Sequence, residues 1–145
     1  MSTPNPQMPT AGDAKLKHLD FLQAAIARMA SNSFLFKGWA ITSAAGLSAF
    51  AATTSERALL AIAIITTATL WGLDGYYLWL ERSFIGLYKE VAATDESDID
   101  FSMQINKDDA FHLWLCACFR HHLLAFYGFI VLTEILGVVW LAGTK

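Results

Sequence analysis

Charge is scarce in this chain: of 145 residues, 16% are Asp, Glu, Lys or Arg, while 55% are hydrophobic. That balance is too apolar for an ordinary soluble domain of this size and predicts a small membrane protein. Cysteine is nearly absent. Cys116 and Cys118 lie one residue apart on the side expected to face the cytoplasm, where thiols stay reduced, so a structural disulfide is not expected. Proline occurs only at Pro4, Pro6 and Pro9. Residues 1–12 hold no apolar run either, which excludes a signal peptide or anchor there and predicts a disordered tail. Phosphate-binding glycine loops, nucleophile elbows and zinc-protease motifs are all missing. Neither an enzyme nor a bound cofactor is expected.

What is present is organised around residues 123–143, apolar throughout except for Thr133 and Glu134. As a helix this stretch spans a bilayer and puts Glu134 near its midplane. A carboxylate there is costly and is kept when it faces protein or water, so a functional role is the first reading and a bond to a neighbouring helix the plain one.

Residues 13–31 carry Leu16, Leu19, Leu22, Ile26 and Met29 at spacings of three and four, the pattern of an amphipathic cytoplasmic helix. Ser31, Asn32 and Ser33 read as a helix start, and residues 33–52 form the first span. Its small residues, Thr42 to Ala45, Gly46, Ser48 and Ala49, suit close helix packing. Residues 58–80 form the second span. The short connection makes these two spans antiparallel, which predicts that Lys37 and Asp74 lie at one depth and form an ion pair. Trp71, Tyr76, Tyr77 and Trp79 form an aromatic belt at that end.

Residues 81–121 are expected to make a cytoplasmic domain. The second span continues as a helix through Phe84, Leu87, Tyr88 and Val91, followed by an acidic loop with Asp95, Glu96, Asp98 and Asp100. That loop lacks the glycine and distal glutamate of a calcium-binding EF-hand. Ile99, Phe101, Met103 and Ile105 then alternate with polar residues, as in a short half-buried strand, which must find a host on a helix surface or another subunit. Lys107, Asp108 and Asp109 start a helix expected to run from about residue 109 into the third span, residues 122–143, with a bend near the histidines. The fold class is therefore an all-α membrane protein with three spans, helical extensions and one short strand.

Eight of the ten basic residues (Lys15, Lys17, Arg28, Lys37, Arg82, Lys89, Lys107 and Arg120) fall on one side, and Arg57 and Lys145 on the other. The positive-inside rule puts the N-terminus in the cytoplasm and the C-terminus outside, across a bacterial inner membrane. Three spans enclose little, so a pore requires a homo-oligomer. Tyr127, Ile130, Glu134, Val138 and Leu141 share one face of the third span and are the expected pore lining, with Glu134 making a ring that attracts cations. His112, Trp114, Arg120, His121 and His122 would form a basic, aromatic vestibule suited to phosphate and base stacking, or merely anchor the helix at headgroups. Cys118 and His122 could share a metal, but two ligands make no structural zinc site, and none is expected.

Two stretches resemble a family of small bacterial inner-membrane proteins: Arg28-Met29-Ala30-Ser31-Asn32-Ser33-Phe34-Leu35-Phe36-Lys37-Gly38-Trp39, and Trp71-Gly72-Leu73-Asp74-Gly75-Tyr76-Tyr77 through Glu81-Arg82 to Leu87-Tyr88. The architecture also resembles the channel subunit of Hailong-type anti-phage defence systems. That resemblance implies a ligand-gated channel that depolarises the cell, with a single-stranded DNA oligomer and the nucleotidyltransferase that makes it as partners. The alternative expectation is a non-conducting anchor or regulatory subunit for another protein.

Overall fold

The computed structural model describes residues 10–105 and 108–143, so the expected tail lies outside the described residues up to residue 9, as do Lys107 and Lys145. The described chain is all-helical. Three of its helices are long and apolar enough to cross a membrane: α1 (Ala11–Thr54), α2 (Arg57–Ala93) and α4 (His121–Gly143), with the short α3 (Ala110–Cys118) before the last. Phe129, Leu132, Ile135, Leu136, Val139 and Trp140 of α4 are all exposed, a surface that fits lipid rather than water.

Helix α1 begins in a capping box: the Asp13 amide donates to Thr10 Oγ1 at 3.2 Å, and the Thr10 amide donates to an Asp13 carboxylate oxygen at 3.1 Å. It then runs for 44 residues, about 66 Å, without interruption. The expected boundary at Ser31 to Ser33 does not occur. Serine caps a helix only by bonding a free backbone amide, and the Ser33 hydroxyl is instead drawn across to Asp74 on α2. The amphipathic segment and the first span are thus one element. Ser55, in left-handed backbone (φ 56), turns the chain back into α2.

Both helices exceed the roughly 30 Å thickness of a bilayer core, so the hairpin continues beyond it. There Leu22, Ala25 and Val91 are buried and Gln23 donates to the Tyr88 hydroxyl at 3.2 Å. The Lys15 ammonium donates to the carbonyls of Ala92 (3.3 Å) and Thr94 (2.7 Å), closing the negative end of α2.

A short 3-10 turn (Glu96–Asp98) follows, and residues 99–105 form no strand. No partner edge is offered among the described residues. Local side-chain bonds take the amides instead, Asp100 accepting from the Ser102 amide and Ser102 from that of Gln104. The expected helix-surface host is present nevertheless. Phe101 meets His18 of α1 edge to face at 5.6 Å, and Phe101 and Met103 share a cavity with Phe21.

The expected single helix from residue 109 is broken at Phe119 and Arg120. In an unbroken helix the Cys118 carbonyl would accept from the His122 amide. Here it accepts from the Trp71 indole at 2.9 Å, and the Arg120 amide folds back onto the Ala117 carbonyl at 3.2 Å. A second indole, Trp114, donates to the Gly72 carbonyl at 2.9 Å, so two tryptophans fasten α3 to α2.

Candidate functional site: buried polar layers between the spans

Steps of seven residues, two helical turns of about 10.5 Å, organise the interior. On α2 the buried positions Leu60, Thr67 and Asp74 face, in antiparallel order, the buried positions Leu141, Glu134 and Tyr127 of α4. On α1 the matching positions are Ala51, Ala44 and Lys37. The three layers are apolar at one end, hydroxyl and carboxyl in the middle, and charged at the other.

In the charged layer the Lys37 ammonium lies 2.6 Å from Asp74 Oδ2, as expected from the antiparallel hairpin. Lys37 also donates to Ser33 Oγ at 2.8 Å, leaving the Ser33 proton to be donated to Asp74 Oδ1. The Tyr127 hydroxyl is buried near the same carboxylate but without a hydrogen-bond partner among the described residues, and its ring stacks on Trp71 with centroids 5.9 Å apart. Asp74 is wholly buried, and its charge is compensated by Lys37 and Ser33 of α1.

In the middle layer Thr67 Oγ1 donates to Glu134 Oε1 at 2.9 Å, with Glu134 1% exposed. This is the face expected to line a pore. Tyr127, Ile130, Glu134 and Leu141 are buried and Val138 is half-buried, all turned onto α1 and α2 rather than toward a space between protomers. Within one protomer this face packs against neighbouring helices. The carboxylate turns inward because a hydroxyl on α2 is a better partner than lipid.

The five residues expected to make a ligand vestibule are not brought together. Trp114 spends its donor on the Gly72 carbonyl, and His112 sits on the exposed side of α3, 3.9 Å from Cys116 Sγ. His121 and His122 are exposed and meet edge to face at 5.3 Å, His122 at the mouth of an apolar groove of about 900 Å³ between α1 and α4. Arg120, half-buried, points to a different cavity between α2 and α3. The suggested Cys118–His122 pair loses its helical register at the break.

Ser33 and Thr67 are the functional side chains that sequence reasoning missed. Spacing could have found both: Ser33 is four residues before Lys37, and Thr67 is seven before Asp74, so each shares the face of a charge expected to point inward.

The two thiols have opposite environments. Cys118 is buried against Gly75, and burial, then the nearby Asp74 carboxylate, push its thiol above the usual cysteine range, whereas Cys116 is exposed. A neutral-pH maleimide should therefore label Cys116 at least tenfold faster than Cys118, read by mass spectrometry on the single variants Cys116→Ser and Cys118→Ala. Equal rates would mean that α3 is not seated on α2.

No family model, curated protein or solved structure matches this chain.

Proposed function

We propose that this protein is a non-catalytic membrane module that works by assembling with copies of itself through the outward face of α1. The observation that carries this reading is a division of labour on α1. Its inward face, Lys37, Ala40, Ala44 and Ala51, is committed to the protomer. Its outward face repeats the coiled-coil spacing with Gly38, Thr42, Ala45, Ala49 and Ala52, all exposed. Small residues in that register let two helices approach closely in lipid. At Gly38 the missing side chain opens a notch of about 330 Å³ among Phe34, Leu35, Trp39 and Thr42, shaped to take a knob from a facing helix. The charges are neutralised inside, so assembly demands no buried ion from the interface.

A Cβ added at Gly38 meets nothing within 4 Å and the residue is exposed, so Gly38→Leu should leave the protomer intact while filling the notch. Counting fluorophore bleaching steps in native nanodiscs should show several copies for the wild type. Gly38→Leu and Ala45→Leu should each lower the oligomeric fraction about tenfold, a loss on the order of 1.4 kcal/mol, whereas Phe129→Ala on α4 should not. A monomeric wild type would refute the reading.

A conducting assembly is the second reading, favoured by the exposed hydroxyls Thr42 and Thr53 on the outward half of α1. A pore of this kind is lined by α1, and Glu134 supports it from within the bundle. In planar bilayers Thr42→Leu should then alter the current, while Glu134→Gln should leave unitary conductance unchanged. Placement in a bacterial inner membrane with the N-terminus in the cytoplasm is supported by the distribution of basic residues. A role as a depolarising anti-phage effector gated by a DNA oligomer, or as an anchor for a partner protein, is supported by the sequence resemblance and architecture alone.

A further inference from the structure

The cavity between α2 and α3 combines three unspent donors. It measures about 370 Å³ and is lined by Trp79, Arg82, Leu113 and Arg120, together with Ser83, Cys116 and Ala117; no carboxylate lines it. Trp79 is 7% exposed, and its indole N–H, which can only donate, is buried without a partner. Neither arginine forms an ion pair among the described residues. Ser83 is already committed, donating to the Trp79 carbonyl at 3.0 Å. Two guanidiniums and a buried indole N–H around one space call for an anion with several acceptor oxygens, and the planar forks of arginine match phosphate.

Helical spacing explains why Arg120 is there. Arg120 follows Ala117, Cys116 and Leu113 by three, four and seven residues, so it carries on the face of α3 that lines the cavity, and the tightened turn at Phe119 and Arg120 keeps it there. The depth of the cavity indicates where the phosphate comes from. Trp79 belongs to the aromatic belt closing the second span, and Arg82 stands one turn beyond it. Leu113 at the rim is exposed, as are Phe111 and Phe119 of the same segment, giving an apolar border for acyl chains. The geometry points to a binding site for the phosphate headgroup of an anionic phospholipid, held by Arg82, Arg120 and the Trp79 indole N–H. Occupied, it would tie α3 to the membrane surface and set the angle of the α3–α4 break. It is independent of the assembly face on α1, which lies on another helix.

Native mass spectrometry of the full-length protein released from mild detergent tests this, with phosphatidylglycerol titrated against phosphatidylcholine, inorganic phosphate and glycerol 3-phosphate. Phosphatidylglycerol should bind at least tenfold tighter than phosphatidylcholine and far tighter than either soluble phosphate. Arg82→Gln and Arg120→Gln should each weaken it about tenfold and Trp79→Phe several-fold. Arg120→Lys should fall between wild type and Arg120→Gln, and Arg28→Gln, on the exposed side of α1, should change nothing. Far-ultraviolet helicity at the wild-type level in every variant separates lost binding from lost folding, and the lysine variant serves as the test should either glutamine variant unfold. Equal lipid affinity across the variants would overturn the site. Soluble phosphates binding as tightly as the lipid would overturn the lipid source, as would a short single-stranded oligodeoxynucleotide that binds at these arginines in preference to lipid.

Discussion

Asp74→Ala should destabilise the bundle by about 3–5 kcal/mol, the usual cost of leaving one member of a buried ion pair without its partner. The variant strands the Lys37 ammonium at the level of the first and second spans with only Ser33 to receive it, and it removes the acceptor that Ser33 and Tyr127 face. The lower end of that range applies if Lys37, 26% exposed, can lift its ammonium toward the interface. Unfolding measured by steric trapping in bicelles gives the number. A matched apolar pair, Lys37→Met with Asp74→Leu, should recover most of the loss, because the stranded charge is then gone. If the double variant is no better than Asp74→Ala, the stability lies in the Ser33 and Tyr127 contacts rather than in the charge.

Gly75→Val should release α3 from α2. A side chain at position 75 would collide with Cys118 Sγ, and its first carbon would lie 3.2 Å from the Cys118 backbone, so the obstacle cannot be cleared by a rotamer change. Overpacking of this kind costs about 1–3 kcal/mol, enough to compete with the two indole bonds that seat the helix. The expected signature is local: Cys118 should become as reactive toward maleimide as Cys116, while the oligomeric state is unchanged. Gly75→Ala should act in the same direction more weakly, and adding Cys118→Ala should give partial relief only, because the backbone of residue 118 still stands in the way. Gly86→Ala, also on α2 and with open space around it, is the control and should leave Cys118 reactivity unchanged. Failure of Gly75→Val to expose Cys118 would mean that the indole bonds alone hold α3.

The chemical logic of the two polar layers differs. The Lys37–Asp74 pair is neutral as a unit, with Ser33 bonded to both members, and therefore acts as a fastening that fixes the depth of α1 against α2. The Thr67–Glu134 layer leaves the second carboxyl oxygen of Glu134 without a hydrogen bond among the described residues, buried between apolar neighbours. Its presence fixes the rotation of α4, because only one face carries the group that Thr67 can reach. Polar groups used this way specify which helices pack and in what register, at some expense in stability.

The shared face of Tyr127, Ile130, Glu134, Val138 and Leu141 was legible from spacings of three and four, whereas the seven-residue steps of Lys37, Ala44 and Ala51 and of Leu60, Thr67 and Asp74 emerge only from the packing. The three spans follow from uninterrupted apolarity, because length and hydropathy alone decide whether a helix can cross a bilayer. The Lys37–Asp74 pair follows from the shortness of the connection at Ser55 and Glu56, because two antiparallel helices joined so tightly have only one relative depth. The continuation of α2 past Leu80 follows from its unbroken 3.6-residue pattern. All of the legible features depend on quantities local to one helix or one hairpin.

What only the tertiary structure decided depends on a partner distant in sequence. Glu134 could face a pore or a neighbour, and the Thr67 hydroxyl 67 residues away settles its direction within the protomer. Ser33 carries the local signal of a helix start, and Asp74 redirects its hydroxyl so that α1 runs through. The bend expected near His121 and His122 is a full break at Phe119 and Arg120, with neither proline nor glycine there to cause it, and Trp71 takes the Cys118 carbonyl that a continuous helix would use. The alternation in residues 99–105 is a strand pattern without an edge to join, so its apolar members settle on α1 instead. Periodicity states which faces are apolar and how far a helix can reach, but a single polar side chain changes its bonding when a partner arrives from another helix, and only packing supplies that partner.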